Sequence, residues 1–220
     1  MKRVSISSNV IRRMPRYFRA LEELMGRGVE RISSVELGHQ LGLNPSQVRQ
    51  DLSRFGEFGV QGYGYNVGVL RDEVASILGV GSGFSVVVIG LGNLGHALLK
   101  NFRFSRYGYR VIAAFDVNPD IVGTTTCGVP VYEAGMFSAF AAENPVDIAV
   151  LTVPPGFALS TARSITTAGV RAIWNFTNVE LNHLGADTLV EDIHFSDSLF
   201  NLSYYLSEQE RRNSLYHSDF

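Results

Sequence analysis

Three glycines in the middle of the chain have the spacing of a dinucleotide-binding loop. Gly90, Gly92 and Gly95 form a G-x-G-x-x-G pattern directly after the β-branched run 86–89. In a strand–turn–helix unit, the first glycine makes the tight turn, the second lets the backbone approach a pyrophosphate, and the third lets the helix pack on the strand. The helix N-terminus offers unpaired N–H groups to the anion. The predicted cofactor-binding loop comprises Gly90, Leu91, Gly92, Asn93, Leu94 and Gly95.

A carboxylate at the end of the next apolar run indicates which nucleotide binds there. The run 111–115 ends in Asp116, which follows Gly95 at the distance expected of an acidic residue that binds the ribose of NAD. Val117 and Asn118 come next, and no arginine stands beside them for the extra phosphate of NADP. We therefore expect Asp116 and Asn118 to help bind NAD⁺ or NADH.

Alternating apolar strands and helices place this loop in an α/β domain with a doubly wound parallel sheet. The strand-like runs are 85–89, 111–115, 148–153 and 171–176, with helical patterns between them. Ligands of such sheets lie beyond the carboxyl ends of the strands. The crevice is therefore expected to include Val153, Pro154, Asn175 and Phe176. We predict a Rossmann domain over residues 79–196, beginning with the glycine-rich linker 79–83.

The first 78 residues have the pattern of a winged-helix domain. Pro15 is expected in the first turn of a helix that ends near 26–28, and Ser33 or Ser34 is available as the N-cap of a second helix. Pro45 opens a third helix, 45–55, after a glycine turn, which is typical of a helix-turn-helix. Residues 55–67 are rich in glycine and aromatics and predict a β-hairpin, the wing.

Polar and basic residues of this domain indicate a contact with DNA. Six basic residues precede the first acidic residue, Glu22, although the whole chain has a net charge of −2. The third helix carries polar side chains suited to phosphates and base edges, and Asp51 is the acidic residue among them. The DNA-binding residues expected on these grounds are Arg13, Ser46, Gln47, Arg49, Gln50 and Ser53.

The C-terminal segment, 197–220, contains one more amphipathic helix. Leu199, Leu202 and Leu206 share a helical face over 197–212, and Asp197 is a candidate N-cap. This face needs a cover, either from its own domain or from a second subunit.

Composition excludes several classes of protein. No apolar run is long enough to cross a bilayer, and the basic start lacks the apolar segment of a secretory signal. Cys127 is the single cysteine, which excludes an internal disulfide and a cysteine-rich metal site. We expect a cytoplasmic protein with no metal and no membrane partner.

Several local motifs occur together in one order. They are MPRYFR (14–19), ISSVEL (32–37), VRQDLSRFGEFG (48–59), GYGY (62–65), AFDVNP (114–119), LTVP (151–154) and NF (175–176). In these motifs the sequence resembles the Rex family of redox-sensing transcriptional repressors of bacteria, over nearly its whole length. The resemblance implies a homodimer with an exchanged C-terminal helix. It also implies sensing of the NADH/NAD⁺ ratio and binding of palindromic double-stranded operator DNA when NADH is scarce.

The resemblance also implies roles for single residues. Arg49 would contact DNA from the recognition helix, with Gln61 and Gly62 at the wing tip. Asp197 would approach Arg19 of the partner subunit near the nicotinamide, in a contact that depends on the ligand state.

Three positions depart from the family pattern. Gln50 and Gln61 stand where many members have basic residues, which predicts a shallower salt dependence of DNA binding. Asn101 stands where many members have a tyrosine near the nicotinamide, which puts that part of the switch in doubt.

Two other functions are compatible with the same sheet. An NAD-dependent dehydrogenase with an N-terminal assembly domain needs a general acid or base, for which His183 and His194 are the candidates, while His96 lies in the phosphate-binding helix. None of the three comes with a partner motif. A coenzyme A-binding domain shares the architecture, but Asp116 favours a free ribose hydroxyl and hence NAD.

Overall fold

The computed structural model describes residues 6–56, 58–60, 62–181 and 187–217, with side chains to residue 213. The chain divides into two compact units, Met1–Ser82 and Gly83–Phe220. The glycine-rich linker expected at 79–83 spans this boundary, and Gly81 and Gly83 both have positive φ there.

Four helices and a small sheet make up the N-terminal unit. Its elements are α1 (Ser8–Gly26), β1 (Arg31–Ile32), α2 (Ser34–Leu41), α3 (Pro45–Ser53), β2 (Gly59–Val60), β3 (Gly64–Asn66) and α4 (Val67–Leu78). The strands pair antiparallel in the order β1-β3-β2, so the wing hairpin is extended by a strand that precedes α2. Helices α2 and α3 form the predicted helix-turn-helix, and α1 packs against α4.

Helix α1 begins earlier than the sequence suggested. Pro15 lies inside the helix, seven residues after its start at Ser8, so the prediction that Pro15 occupies the first turn is wrong. Proline cannot donate a hydrogen bond to the preceding turn, and this loss usually ends a helix. Burial of Val10 and Met14 on one side of Pro15, and of Phe18 on the other, holds the helix together across it.

Local hydrogen bonds fix the ends of the two short helices. Ser33 is the N-cap of α2, where it accepts a hydrogen bond from the backbone of Glu36 while the Glu36 carboxylate accepts one from the backbone of Ser33. Gly42 ends α2 in the left-handed conformation, and Asn44 caps α3 through the backbone N–H of Gln47.

A seven-stranded sheet with helices forms the C-terminal unit. Its elements are β4 (Ser85–Ile89), α5 (Asn93–Asn101), β5 (Arg110–Asp116), β6 (Thr125–Thr126), β7 (Val129–Glu133), α6 (Phe137–Glu143), β8 (Ile148–Leu151), α7 (Pro155–Thr167), β9 (Ala172–Asn175), β10 (Leu189–Asp192) and α8 (Phe195–His217). Strand order is β10-β9-β8-β4-β5-β7-β6, and every neighbouring pair from β10 to β7 is parallel. The predicted doubly wound fold is confirmed, with an antiparallel edge strand, β6, that the sequence did not indicate.

The order of the sheet creates a crevice at its centre. Strand β4 is buried along its whole length, with β5 on one side and β8 on the other. Apolar clusters cover both faces of β4, one including Phe115 and Leu151 and the other Val88 and Val150. The chain continues from β4 to β5 and β7 on one side and then crosses to β8 and β9 on the other, so the strand order reverses beside β4. This reversal is the switch point where such sheets bind ligands.

Helix α8 follows the completed sheet. It begins at Phe195, so Asp197 is its third residue and the prediction that Asp197 is the N-cap is wrong. Leu199, Leu202 and Leu206 are each more than half exposed. None of the described helices is long and apolar enough to cross a membrane.

Candidate functional site

Two of the three glycines in the loop after β4 are required by the protein's own packing. Gly90 has a φ of +94°, in the left-handed region, and a Cβ there would lie 3.0 Å from the backbone of Thr152 and Val153. A Cβ on Gly95 would lie 2.0 Å from the carbonyl oxygen of Gly90, so only glycine lets α5 pack this close to the loop. A Cβ on Gly92 would meet nothing within 4 Å. The loop is therefore tight at both ends and open at Gly92, the position at which dinucleotide-binding loops of this spacing admit a phosphate.

Asp116 connects the end of β5 to this loop. One carboxylate oxygen accepts a hydrogen bond of 2.5 Å from the backbone N–H of Leu91, and the other accepts one of 2.8 Å from the backbone of Asn118. These two bonds fix the carboxylate beside the first turn of the glycine loop. The side chain of Asn118 in turn accepts a hydrogen bond from the backbone of Asp120.

A cavity of about 680 Å³ opens at the carboxyl ends of the central strands. Five of the predicted residues line it: Gly90, Gly92, Asp116, Val153 and Pro154. The cavity has the size of a cofactor cleft, and it brings the glycine loop and the acidic residue to one place.

Part of the cavity wall was not predicted from the sequence. Gly135 and Phe137, which follow β7, line it, and so do Phe157, Thr161 and Ser164 of α7. They lie after the carboxyl ends of β7 and β8, so the strand order was the signal that could have indicated them.

The remaining predicted cofactor residues are placed differently. Asn93 is exposed at the start of α5, whereas Leu91 is buried and Leu94 packs against the apolar cluster on that face of the sheet. Phe176 is buried and contacts Trp174 edge-on, at 4.7 Å between ring centres.

The side chain of Asn175 forms hydrogen bonds with other groups of the protein. Its side-chain nitrogen donates to the carbonyl of Val179 and to Asp192 on β10, and its oxygen accepts from both the backbone and the hydroxyl of Thr177. The residue is 1% exposed. These bonds fix the side chain of Asn175 at the end of β9.

The predicted DNA-reading surface is formed by α3. Ser46, Arg49, Gln50 and Ser53 are all exposed on this helix. Arg49 donates hydrogen bonds to the hydroxyls of Ser46, at 3.1 Å, and of Ser34, at 3.0 Å. The guanidinium of Arg49 is thus held between the first turns of α2 and α3.

Asp51 is the feature of α3 that sequence reasoning missed. It is 0% exposed, and its carboxylate accepts two hydrogen bonds of 2.7 Å from Arg13, one of 2.7 Å from Gln47 and one of 3.1 Å from the hydroxyl of Tyr17. Burial alone would raise the pKa of Asp51, but the hydrogen bonds from Arg13 and Gln47, with the positive charge of Arg13, hold it below its usual value. Burial and the charge of Asp51 raise the pKa of Tyr17.

This network gives two of the predicted DNA-binding residues a contact that was not expected from the sequence. Arg13 and Gln47 were expected at DNA, yet Nε and Nη2 of Arg13 and the amide nitrogen of Gln47 all bind Asp51 inside the domain. The local sequence gave no sign of this, because Arg13 and Asp51 lie 38 residues apart.

Strand β1, which extends the wing hairpin, contributes a second cation that the sequence did not single out. Arg31 of β1 lies over the ring of Tyr63, 5.8 Å from the ring centre. Both residues line a groove of about 730 Å³, together with Arg49 and Gly62. Gly62 has positive φ, and Gln61 lies outside the described residues.

The residues of the proposed switch lie on both units. Arg19 is exposed on α1, Asp197 on the first turn of α8, and Asn101 at the end of α5. Of the candidate acid–base histidines, His96 is exposed on α5, His194 is partly exposed just before α8, and His183 lies outside the described residues. Within the described part of the chain, no three His, Cys, Asp or Glu residues cluster as a metal site would require.

Comparisons with known proteins agree with this two-part structure. A family described as "Putative DNA-binding protein N-terminus" matches residues 5–53, and one described as "CoA binding domain" matches residues 83–179. The redox-sensing transcriptional repressor Rex of Caldanaerobacter subterraneus subsp. tengcongensis is 44% identical over 209 residues, which cover 95% of this chain and 93% of that protein. The chain belongs to the Rex family of redox-sensing transcriptional repressors.

Solved structures show the same relationship in three dimensions. A crystal structure of RSP in complex with β-NAD⁺ and operator DNA superposes with a TM-score of 0.87 at 42% identity, covering 96% of this chain and 97% of that one. RSP in complex with β-NADH gives 0.88 at 40% identity, covering 96% and 99%. The Rex fold therefore extends through both units of this chain.

Membership of the Rex family decides between the alternatives drawn from the sequence. Rex proteins are transcriptional repressors, so the family places this chain among DNA-binding regulators and not among the dehydrogenases that share the Rossmann sheet. The match to the family described as "CoA binding domain" covers residues 83–179 alone.

Proposed function

We propose that this protein is a redox-responsive repressor that binds palindromic operator DNA when NADH is scarce and leaves it when NADH binds. The observation that carries the proposal is the bond between Asp116 and the backbone of Leu91, which sets a ribose-binding carboxylate against an open glycine loop. A winged-helix unit on the same chain would bind the operator. The related RSP structures, with NAD⁺ and operator DNA and with NADH, support the same pairing of ligands.

The residues around the cavity fit a dinucleotide. The open backbone at Gly92 and the first N–H groups of α5 would hold the pyrophosphate, and Asp116 would accept hydrogen bonds from the adenosine ribose. A carboxylate at this position would repel a phosphate on the same ribose, which favours NAD(H) over NADP(H) and over coenzyme A. The nicotinamide carries the redox state, because its ring is charged when oxidised and neutral when reduced.

On the DNA side, α3 is the recognition helix. Ser46, Gln50 and Ser53 would face base edges in the major groove, and Arg49 would bind a phosphate or guanine at the edge of this surface. Gly62 of the wing and Arg31 of β1 would lie along the adjacent DNA backbone. The positive charge of Arg31 compensates in part for the glutamines at positions 50 and 61.

A dimer would account for the exposed C-terminal helix. Leu199 and Leu206 are more than half exposed on one face of α8, and Phe200, Tyr204 and Tyr205 are 61–68% exposed on others. A helix that is apolar on several sides needs partners on several sides. We infer that α8 is exchanged between two subunits in the cytoplasm, where Asp197 of one subunit approaches Arg19 of the partner subunit.

Coupling between the nucleotide site and the recognition helices follows from two states of this dimer. If NADH binds the state whose recognition helices no longer match successive major grooves more tightly than it binds the other state, it shifts the dimer away from the operator. NAD⁺ must then have a smaller preference between the two states. A ligand with equal affinity for both states would shift nothing.

Fluorescence anisotropy of a labelled palindromic operator tests the proposal. At fixed salt, NADH should release the DNA, whereas NAD⁺ at the same concentration should leave most of it bound. Coenzyme A should have no effect. Equal responses to NADH and NAD⁺ would contradict redox sensing, and release by coenzyme A would favour the coenzyme A-binding alternative.

A further inference from the structure

We propose that Asp51 is the positioning residue of the DNA-reading surface, and that Arg13 and Gln47 act through it and not through contacts to phosphates. This inference rests on the proposed repressor function and concerns how its recognition helix is held. It starts from Asp51, the one fully buried carboxylate among the described residues of the N-terminal unit.

The carboxylate of Asp51 is saturated. An ionised carboxylate offers about four acceptor positions, and all four are filled: Oδ1 accepts from Arg13 and Gln47, and Oδ2 accepts from Arg13 and the hydroxyl of Tyr17. Three of these hydrogen bonds come from α1, two from Arg13 and one from Tyr17, and one comes from Gln47 of α3 itself. The network therefore ties the recognition helix to the first helix of the domain at one buried point.

Moving the Asp51 carboxylate out of water costs free energy, and its attraction to Arg13 can do little more than offset this cost. The ion pair is therefore better explained by the geometry that it fixes than by the stability that it adds. A buried ion pair is often no more stabilising than apolar side chains of the same volume, but it fixes geometry because its partners must meet in one arrangement. The fork of Arg13 contacts both oxygens of Asp51 at 2.7 Å, which restricts the rotation of α3 about its own axis relative to α1.

The same network fixes one edge of the reading surface. Because the carboxylate can only accept hydrogen bonds, the amide of Gln47 must turn its nitrogen toward Asp51, which sets the orientation of its oxygen. At the other edge, Arg49 is held by Ser34 and Ser46. Ser46, Gln50 and Ser53 lie between these two braced edges.

Salt dependence separates a positioning role from a phosphate contact. Each cation that neutralises a phosphate contributes about 0.9 to the slope of log affinity against log salt concentration. If Arg13 acts through Asp51, its loss should weaken binding by the same factor at every salt concentration. If Arg13 binds a phosphate, its loss should reduce the slope by about one.

The experiment measures operator affinity of the full-length protein between about 50 and 200 mM salt. The variants are Arg13→Gln, Asp51→Asn and the double variant, with Arg12→Gln as the control because Arg12 is an exposed neighbour on α1. Affinity is measured where circular dichroism shows each variant fully folded, so a role in stability alone would not change it. Arg49→Ala serves as the reference for a variant with a reduced slope.

We expect Arg13→Gln and Asp51→Asn each to weaken binding at least tenfold with an unchanged slope. The double variant should bind within about threefold of the weaker single variant, because both remove one shared interaction. A reduced slope in Arg13→Gln, wild-type affinity in Asp51→Asn, or additive effects in the double variant would each overturn the proposal.

A milder variant protects the test against misfolding. If Asp51→Asn does not fold, Tyr17→Phe decides, since it removes one of the four hydrogen bonds and leaves the charges in place. Weakening of threefold or more supports the proposal, and unchanged affinity overturns it. Failure of the repressor function is seen separately, in wild-type protein that binds the operator but does not respond to NADH; wild-type protein that binds no operator would overturn both.

Discussion

The Oδ2 atom of Asp116 lies 2.5 Å from the backbone nitrogen of Leu91, so the carboxylate that ends β5 is bound to the first turn of the glycine loop. In the proposed dinucleotide site, the carboxylate for the ribose and the loop for the pyrophosphate would therefore be directly connected. This connection predicts that a change at Asp116 affects both the ribose contact and the shape of the loop.

Replacing Asp116 with alanine should weaken NADH binding by one to two orders of magnitude, because it removes the ribose acceptor and frees the N–H of Leu91. Isothermal titration calorimetry measures this directly. Asp116→Asn should lose less NADH affinity than Asp116→Ala, since its amide oxygen can still accept a hydrogen bond. Operator binding without nucleotide should stay within threefold of wild type for both variants, and its loss would indicate a wider structural defect.

The glycine loop offers a matched pair of substitutions. Gly92→Ala should leave the free energy of unfolding within about 1 kcal/mol of wild type, because the new methyl group meets no protein atom, but should lower NADH affinity at least tenfold. Gly95→Ala should destabilise the Rossmann unit by about 1–3 kcal/mol, because its methyl group would overlap the carbonyl of Gly90. Thermal unfolding and calorimetry separate the two effects. Equal stability of the two variants would contradict this account of the loop.

The buried network predicts a pH dependence of stability. The pKa of Asp51 is lowered in the folded state, so the unfolded chain binds the proton more readily, and the stabilisation by Asp51 is present above the usual pKa of 3.8 and lost as pH falls through the folded value. Asp51→Asn should therefore cost about 3 kcal/mol at neutral pH, and progressively less below about pH 4. Urea unfolding followed by circular dichroism measures both values. A difference that is the same at pH 7 and pH 3 would contradict the assigned charge state.

The C-terminal helix provides a test of the dimer. Leu202→Glu combined with Leu206→Glu should produce a single chain instead of two in light scattering, because charges on this exposed apolar face prevent its burial in a partner. Affinity for the palindrome should fall with the loss of the second recognition helix. Asn201→Asp, on another face of α8, is the control and should remain dimeric. A dimer that persists in the double variant would place the interface elsewhere.

The nucleotide site was predictable because its signals are local. The spacing of Gly90, Gly92 and Gly95 after an apolar strand requires no knowledge of distant residues, and the alternation of strands and helices then brings Asp116 and Val153 to the same edge of the sheet. The fold class followed from the same alternation.

The features of the two sites that were not predicted concern residues whose hydrogen-bond partners are distant in sequence. Asp51 was expected on a polar surface, but Arg13 and Tyr17 reach it from 38 and 34 residues away and make its burial possible. The hydrogen bond of Asn175 to Asp192 was also not predicted, because β10, the strand that carries Asp192, was absent from the sequence prediction. Burial of a polar side chain depends on such tertiary partners, which local periodicity does not report.

The central claim is that the redox state of the nucleotide controls operator binding. Its most direct test is operator occupancy at fixed salt and fixed total nucleotide, followed by anisotropy as the NADH/NAD⁺ ratio is varied, with Asp116→Ala in parallel. The account predicts that occupancy falls with rising NADH fraction in the wild type, and that the Asp116 variant needs a much higher NADH fraction. Occupancy that is independent of the ratio in the wild type would contradict it.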